Sequence, residues 1–271
     1  MRPLALVRAF RRSGPIGPGL VAVLIVAVAA GLSGFLDVTS LAITLGGPLA
    51  VAAATFPRDR IKATWADLQA ALTAADDPEP LITSVKRLAR AHRVDGVPAL
   101  ERATLGVPEP FLRRAVVLGL EVDDRDECVA MLCAEARTRI DAIEASRQVL
   151  LTLGRLFPAF GLIGTLIGLA LLLRNLDAAE VGRIGPGLAI AVLTTLYGAV
   201  MSNVVMLPLA TRVQTYIARQ TMRLEAMIEG ALLVLRAEYP SQIDRVLRAH
   251  LGLPPAPVMP ARTSFVRDHA A

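Results

Sequence analysis

Three glycines and a threonine interrupt the apolar stretch FPAFGLIGTLIGLALLL (157–173). Gly161, Gly164 and Gly168 fall three and four apart, and Thr165 sets a hydroxyl among hydrocarbon side chains. A second stretch carries Ala191, Thr194, Thr195, Gly198 and Ser202 on one broad helical face. Glycines at this spacing cut a groove into which another helix fits closely. The hydroxyls admit two readings. They bond back to carbonyls of their own helix, or, if the helices pack antiparallel across their short connection, Thr165 and Thr195 face one cavity and line it with oxygen. Pro158 and Pro208 sit near one end of each stretch. Each lacks an amide hydrogen, so each frees a carbonyl that needs another partner in a membrane, and each bends its helix as a hinge or as a static kink.

These residues need elements that hold them at bilayer depth. The chain has 271 residues, 54% hydrophobic and only 4% aromatic, which is too apolar for an average soluble domain. A hydrocarbon core of ~30 Å needs about 20 apolar residues of helix. Four runs qualify, over 18–36, 38–56, 150–173 and 185–210. The first is too long for a signal-peptide core and is followed at once by a second run, so it is read as a retained span. Arg2, Arg8, Arg11 and Arg12 precede the first span, and Lys62, Lys86, Arg87, Arg90 and Arg93 lie between the second and third. Arg212, Arg219, Arg223, Arg236, Arg245 and Arg248 follow the fourth. The excess of Lys and Arg puts both termini and the long middle segment in the cytoplasm.

The expected architecture is all-α. Residues 1–56 form the cytoplasmic N-terminus and helices one and two, 57–149 a cytoplasmic helical domain, and 150–210 helices three and four. Residues 211–252 form cytoplasmic C-terminal helices, and 253–271 a disordered tail rich in Pro and Ala. Val129, Leu132, Ala136, Ile140 and Ile143 make one apolar stripe at helical spacing. This stripe runs into span three without a break before Gly154, so that helix and span four both extend beyond the membrane.

Several chemistries are excluded or weakened. No Asp, Glu, Lys or His lies inside the four spans, with Asp37 and Arg155 at their edges. An ion pathway normally needs a titratable group at membrane depth, so this chain alone is a poor candidate for a pump, and if it moves ions a partner has to bring that group. GLSGF (31–35) has the form of an intramembrane serine protease motif, but no span holds a histidine to serve as base. No phosphate-binding glycine loop occurs. Cys128 and Cys133, five apart on different helical faces, fit neither a redox pair nor a zinc site. No enzymatic activity and no cofactor are expected.

PAFGLIGTLIGL, IGPGLAIAVLTTLYGAVMSN and LPLA resemble spans three and four of the flagellar motor stator A subunit, the MotA/PomA family of the MotA/TolQ/ExbB proton channel superfamily. SLAITLGGPLAVAAATFP resembles its second span, and LARAHRVDGVPALE its torque segment. The resemblance implies a homopentamer around a B-type partner (MotB/PomB-like) whose membrane helix brings an essential aspartate. It also implies torque on the rotor protein FliG and no nucleic-acid role. Arg93 and Glu101, with Arg90 beside them, match the rotor-contacting charges, and Pro158 and Pro208 match the two functional prolines. Thr165 and Thr195, with Thr194 adjacent, match positions where sodium-driven members carry threonine, so the resemblance favours transient Na+ along that wall, with H+ as the alternative ion. Gly161, Gly164, Gly168 and Gly198 serve helix packing. Pro48, Arg155 and Ser202 depart from the usual pattern. The alternative is a TolQ/ExbB-like energiser of a non-flagellar envelope complex.

Overall fold

The computed structural model describes residues 37–73, 77–175 and 184–255. The first expected span with its preceding arginines, the GLSGF stretch and nearly all of the expected disordered tail lie outside the described residues. Every regular element among the described residues is a helix. In chain order they are α1 (Val38–Leu41), a π turn (Ala42–Gly46), α2 (Gly47–Thr55), α3 (Arg58–Thr73), α4 (Glu79–Leu105) and α5 (Pro110–Glu121). They continue with α6 (Arg125–Asn175), α7 (Ile184–Val200), a second π turn (Met201–Met206), α8 (Leu207–Leu235) and α9 (Pro240–His250). Three stretches are long and apolar enough to cross a membrane: Val38–Thr55, Arg125–Arg174 and Gly185–Leu235. The first covers the second expected span except Phe56, and the other two contain the third and fourth.

The chain divides into two compact units, one of residues 1–75 with 139–219 and one of 76–138 with 220–271. In the first unit, Asp37 starts α1 by accepting hydrogen bonds from Ser40 N and Ser40 Oγ, each at 2.6 Å. A proline follows each π turn by two residues, Pro48 after Ala42–Gly46 and Pro208 after Met201–Met206. A proline has no amide to give the carbonyl one turn back, and its ring crowds that carbonyl. A π turn widens the ladder there and re-routes the bonds. α6 takes no such detour and is helical at every residue through Pro158.

α6 and α7 pack through a seam of small residues. A Cβ at Gly168 would stand 2.5 Å from Gly187 O and 2.7 Å from Ala191 N. One at Gly164 would stand 2.5 Å from the Thr194 side chain, and one at Gly161 would stand 3.0 Å from Thr194 O. From the other side, a Cβ at Gly198 would stand 2.6 Å from Phe157 O. Residues advancing along α6 meet residues receding along α7, so the helices run antiparallel. Beyond the seam, Leu68 of α3, Leu150 of α6, and Ala210, Val213 and Ile217 of α8 form one buried cluster. The Ser146 hydroxyl donates to Asp67 Oδ2 at 2.6 Å, adding a polar tie between α6 and α3. α3 therefore packs within the first unit, against the ends of α6 and α8 that carry Ser146, Leu150, Val213 and Ile217.

In the second unit, α4 buries Leu81, Ile82, Val85, Leu88 and Ala89, the positions of one helical face. α9 lays Ile243 and Leu247 into the same core, where Gly230 of α8 approaches both Val85 and Leu247. Around this contact Lys86 Nζ donates to Asp244 Oδ1 at 2.8 Å. Arg248 bonds Asp244 Oδ2 at 3.0 Å and Glu79 Oε1 at 2.7 Å. Burial by itself would raise the Asp244 carboxyl. The hydrogen bonds and charges of Lys86 and Arg248 outweigh it and hold the carboxyl below its ordinary value of 3.8. Leu132 and Cys128 of α6 are buried and Cys133 is exposed, so the cysteines do occupy different faces. Burial pushes the Cys128 thiol up.

Two outcomes follow from this packing. Gly168→Ala costs about 1–3 kcal/mol by overpacking against backbone, more than the helix propensity it gains. Gly185→Ala, with nothing within 4 Å, is neutral or slightly stabilising; thermal unfolding in detergent compares the two. A carboxyl with a depressed folded pKa contributes fully above its unfolded value of 3.8 and loses its contribution as pH falls through the folded one. Protection of α9 amides against hydrogen exchange, corrected for intrinsic rates, therefore drops below about pH 4. Asp244→Asn, at a cost of about 3 kcal/mol, removes that dependence.

Candidate functional site

In the first unit the hydroxyls of the two apolar stretches divide by what they bond. Thr165 donates to Leu162 O at 2.6 Å and is half-buried, one residue off the seam. Thr195 donates to Ala191 O at 3.2 Å and is exposed. Both follow the back-bonding pattern, in which a carbonyl of the same helix takes the hydroxyl proton. Each oxygen keeps lone-pair capacity, and a hydroxyl can turn to present it.

Thr194 differs from the other two. The sequence set it on the ion-path wall, but its side chain is fully buried against Gly164 in the seam. Its hydroxyl donates to Ile190 O at 2.8 Å. The close α6–α7 approach thus packs the Thr194 side chain into the seam. Its carbonyl accepts from the Thr44 hydroxyl at 3.4 Å, which brings the π turn after α1 to the same point. Sequence reasoning missed Thr44. Its signal was a hydroxyl in an apolar run four residues before Pro48.

The two prolines are not equivalent. Pro158 is exposed on α6, and Pro208 is half-buried at the start of α8. With Asn203, Leu207, Thr211, Arg212 and Thr215, Pro208 lines a groove of about 470 Å³. The carbonyl that Pro158 orphans is Gly154 O, and Ser202 Oγ donates to it at 2.6 Å. Ser202, a departure from the expected pattern, is thus the partner that a proline in this position requires.

In the second unit the expected torque segment lies on α4, which breaks at Gly96 (φ 72°, ψ −162°). Only glycine adopts that backbone readily. The break spares Pro98 a clash inside a continuous helix, so the segment is two short helices meeting at a tip. Arg90 and Glu101 are exposed on either side of it. Arg93 is exposed yet fixed. Its guanidinium donates to Ala237 O at 2.5 Å and lies 3.7 Å over the Tyr239 ring. Next to it, His92 Nδ1 lies 2.7 Å from Val234 O. The residues after α8 therefore set where the Arg93 charge points. Neither Tyr239 nor Ala237 was legible from the sequence, because they lie more than 140 positions away. Val94 and Val97 are exposed hydrophobics at the tip, 79% and 43% accessible, so the charges stand beside an apolar patch.

The model of the MotA/TolQ/ExbB proton channel family matches residues 105–226. The chain is 32% identical over 219 residues to the chemotaxis protein PomA of Vibrio alginolyticus, covering 80% of this chain and 85% of that one. It is 30% identical over 246 residues to motility protein A of Aquifex aeolicus, covering 89% and 95%. Its fold matches the solved structure of C. jejuni MotAB with a TM-score of 0.76 at 19% identity, over 87% of this chain and 94% of that one. With nearly the whole length of these relatives aligned, the chain belongs to the MotA/TolQ/ExbB proton channel family, on its motility protein A branch.

Proposed function

We propose that this chain is the A-type subunit of a flagellar motor stator, working by ion passage rather than by bond chemistry. The observation that carries this reading is a membrane wall built without a carboxylate of its own. The spans hold glycines, threonines and prolines but no Asp, Glu, Lys or His, and the relatives of the chain are motility proteins. A B-type partner with one membrane helix supplies the carboxylate that binds and releases the ion. Copies of this chain ring that partner as a pentamer, in the inner membrane with both termini cytoplasmic. An ion crossing 100 mV releases about 2.3 kcal/mol per unit charge, a quantity that can drive discrete rotation steps.

The cation is Na+, taken transiently near Thr165 and Thr195. Oxygen ligands suit a hard cation, and both hydroxyls lie off the packed seam. The Gly96 tip delivers the torque. Arg90, Arg93 and Glu101 meet complementary charges on FliG, an arrangement that favours steering and register over tight binding.

Expression with a B-type partner in cells lacking their own stators tests the function. Swimming is expected, and it is expected to be lost when the partner aspartate becomes Asn. Full swimming without that carboxylate would falsify the reading. Reversing both charges, Arg93→Glu with Glu101→Arg, impairs swimming while membrane level and helical content stay at parent values; unimpaired swimming removes the torque role. Thr165→Ala lowers speed at limiting external Na+. Speed that ignores sodium removal at constant membrane potential assigns the motor to protons instead.

A further inference from the structure

The carbonyl of Gly154 sits one turn before Pro158, which has no N–H to offer it. Gly154 is buried, and a buried carbonyl left unpaired is costly. The donor it receives comes from another helix: Ser202 Oγ, at 2.6 Å, from a side chain only 5% exposed. Thr165, Thr194 and Thr195 give their hydroxyls to their own helices. Ser202 reaches across the seam. It is also the second residue of the π turn Met201–Met206, and its carbonyl accepts from Leu207 N, the wide bond that ends the turn just before Pro208. One residue therefore touches both proline defects, α6 through its side chain and the π turn through its main chain.

We propose that Ser202 is a positioning residue for ion coupling, whose hydroxyl replaces the donor missing at Pro158 and links the Pro158 segment to the π turn before Pro208. A displacement at one proline is then carried to the other. The same bond holds Gly154 O in the seam and away from a passing cation. The link to coupling rests on the stator reading, whereas the pairing of Ser202 with the Pro158 defect does not.

A double-mutant cycle on the full chain, expressed with its B-type partner, separates the two. Ser202→Ala removes one oxygen and little volume. It lowers the thermal unfolding midpoint by roughly 2–10 °C in the parent. It lowers the midpoint far less in Pro158→Ala, where residue 158 regains an amide for Gly154 O. Equal losses in the two backgrounds overturn the pairing. The coupling role is read from torque per stator unit, as the step heights when stators join a loaded motor one by one. Ser202→Ala reduces the step height, whereas a merely structural loss reduces the number of steps and leaves their height alone. Parent step heights overturn the positioning role. If Pro158→Ala leaves step heights at the parent value as well, the stator reading of this segment fails, and the midpoints still decide the pairing.

Discussion

Backbone-to-backbone approach between α6 and α7 is the constraint on which the first unit depends. Gly161, Gly164 and Gly168 on one helix and Gly187, Ala191 and Gly198 on the other leave no room for even one added methyl group along most of the seam. In lipid no hydrophobic force draws two apolar helices together, so contact distance and polar ties have to do it. The close approach buries Thr194 and brings Thr44 of the preceding span to the Thr194 carbonyl. It also carries Ser202 to within a hydrogen bond of Gly154. With a wider seam, the carbonyl left by Pro158 would find no partner.

Three prolines perturb these helices, and the chain answers them in two ways. Pro48 and Pro208 are each preceded by a π turn within their own helix. Pro158 is met by a side chain from a neighbouring helix while α6 stays regular around it. The first answer is local and absorbs the defect within one helix. The second is tertiary and ties two segments into one mechanical element.

The second unit solves a different problem, holding charge in place at a surface. Arg93 is a long, exposed side chain that would ordinarily sample many rotamers. Its hydrogen bond to Ala237 O and its stacking on Tyr239 restrict it. Guanidinium over an aromatic face is favourable and planar, so the restriction carries direction. Lys86, Asp244, Arg248 and Glu79 fasten α9 to α4 and so keep the fold beneath the tip fixed.

The sequence by itself determined that the protein is helical, that it crosses a membrane, and that its own spans carry no Asp, Glu, Lys or His. These follow from run length, periodicity and residue type, which are local. It also exposed the glycine spacing and the stripe through Leu132, because helical periodicity turns spacing into a face. Which hydroxyl is buried and which is exposed, and what each one bonds, was decided only by the tertiary structure. Thr194 reads like Thr195, yet one is sealed in the seam and the other is exposed. Ser202 stood out only as a departure, and its partner lies 48 residues away. Arg93 and Tyr239, on segments far apart in the chain, meet only because α8 and α4 pack in the same core. A side chain's partner across a contact depends on how closely two backbones approach, and no pattern within one segment records that distance.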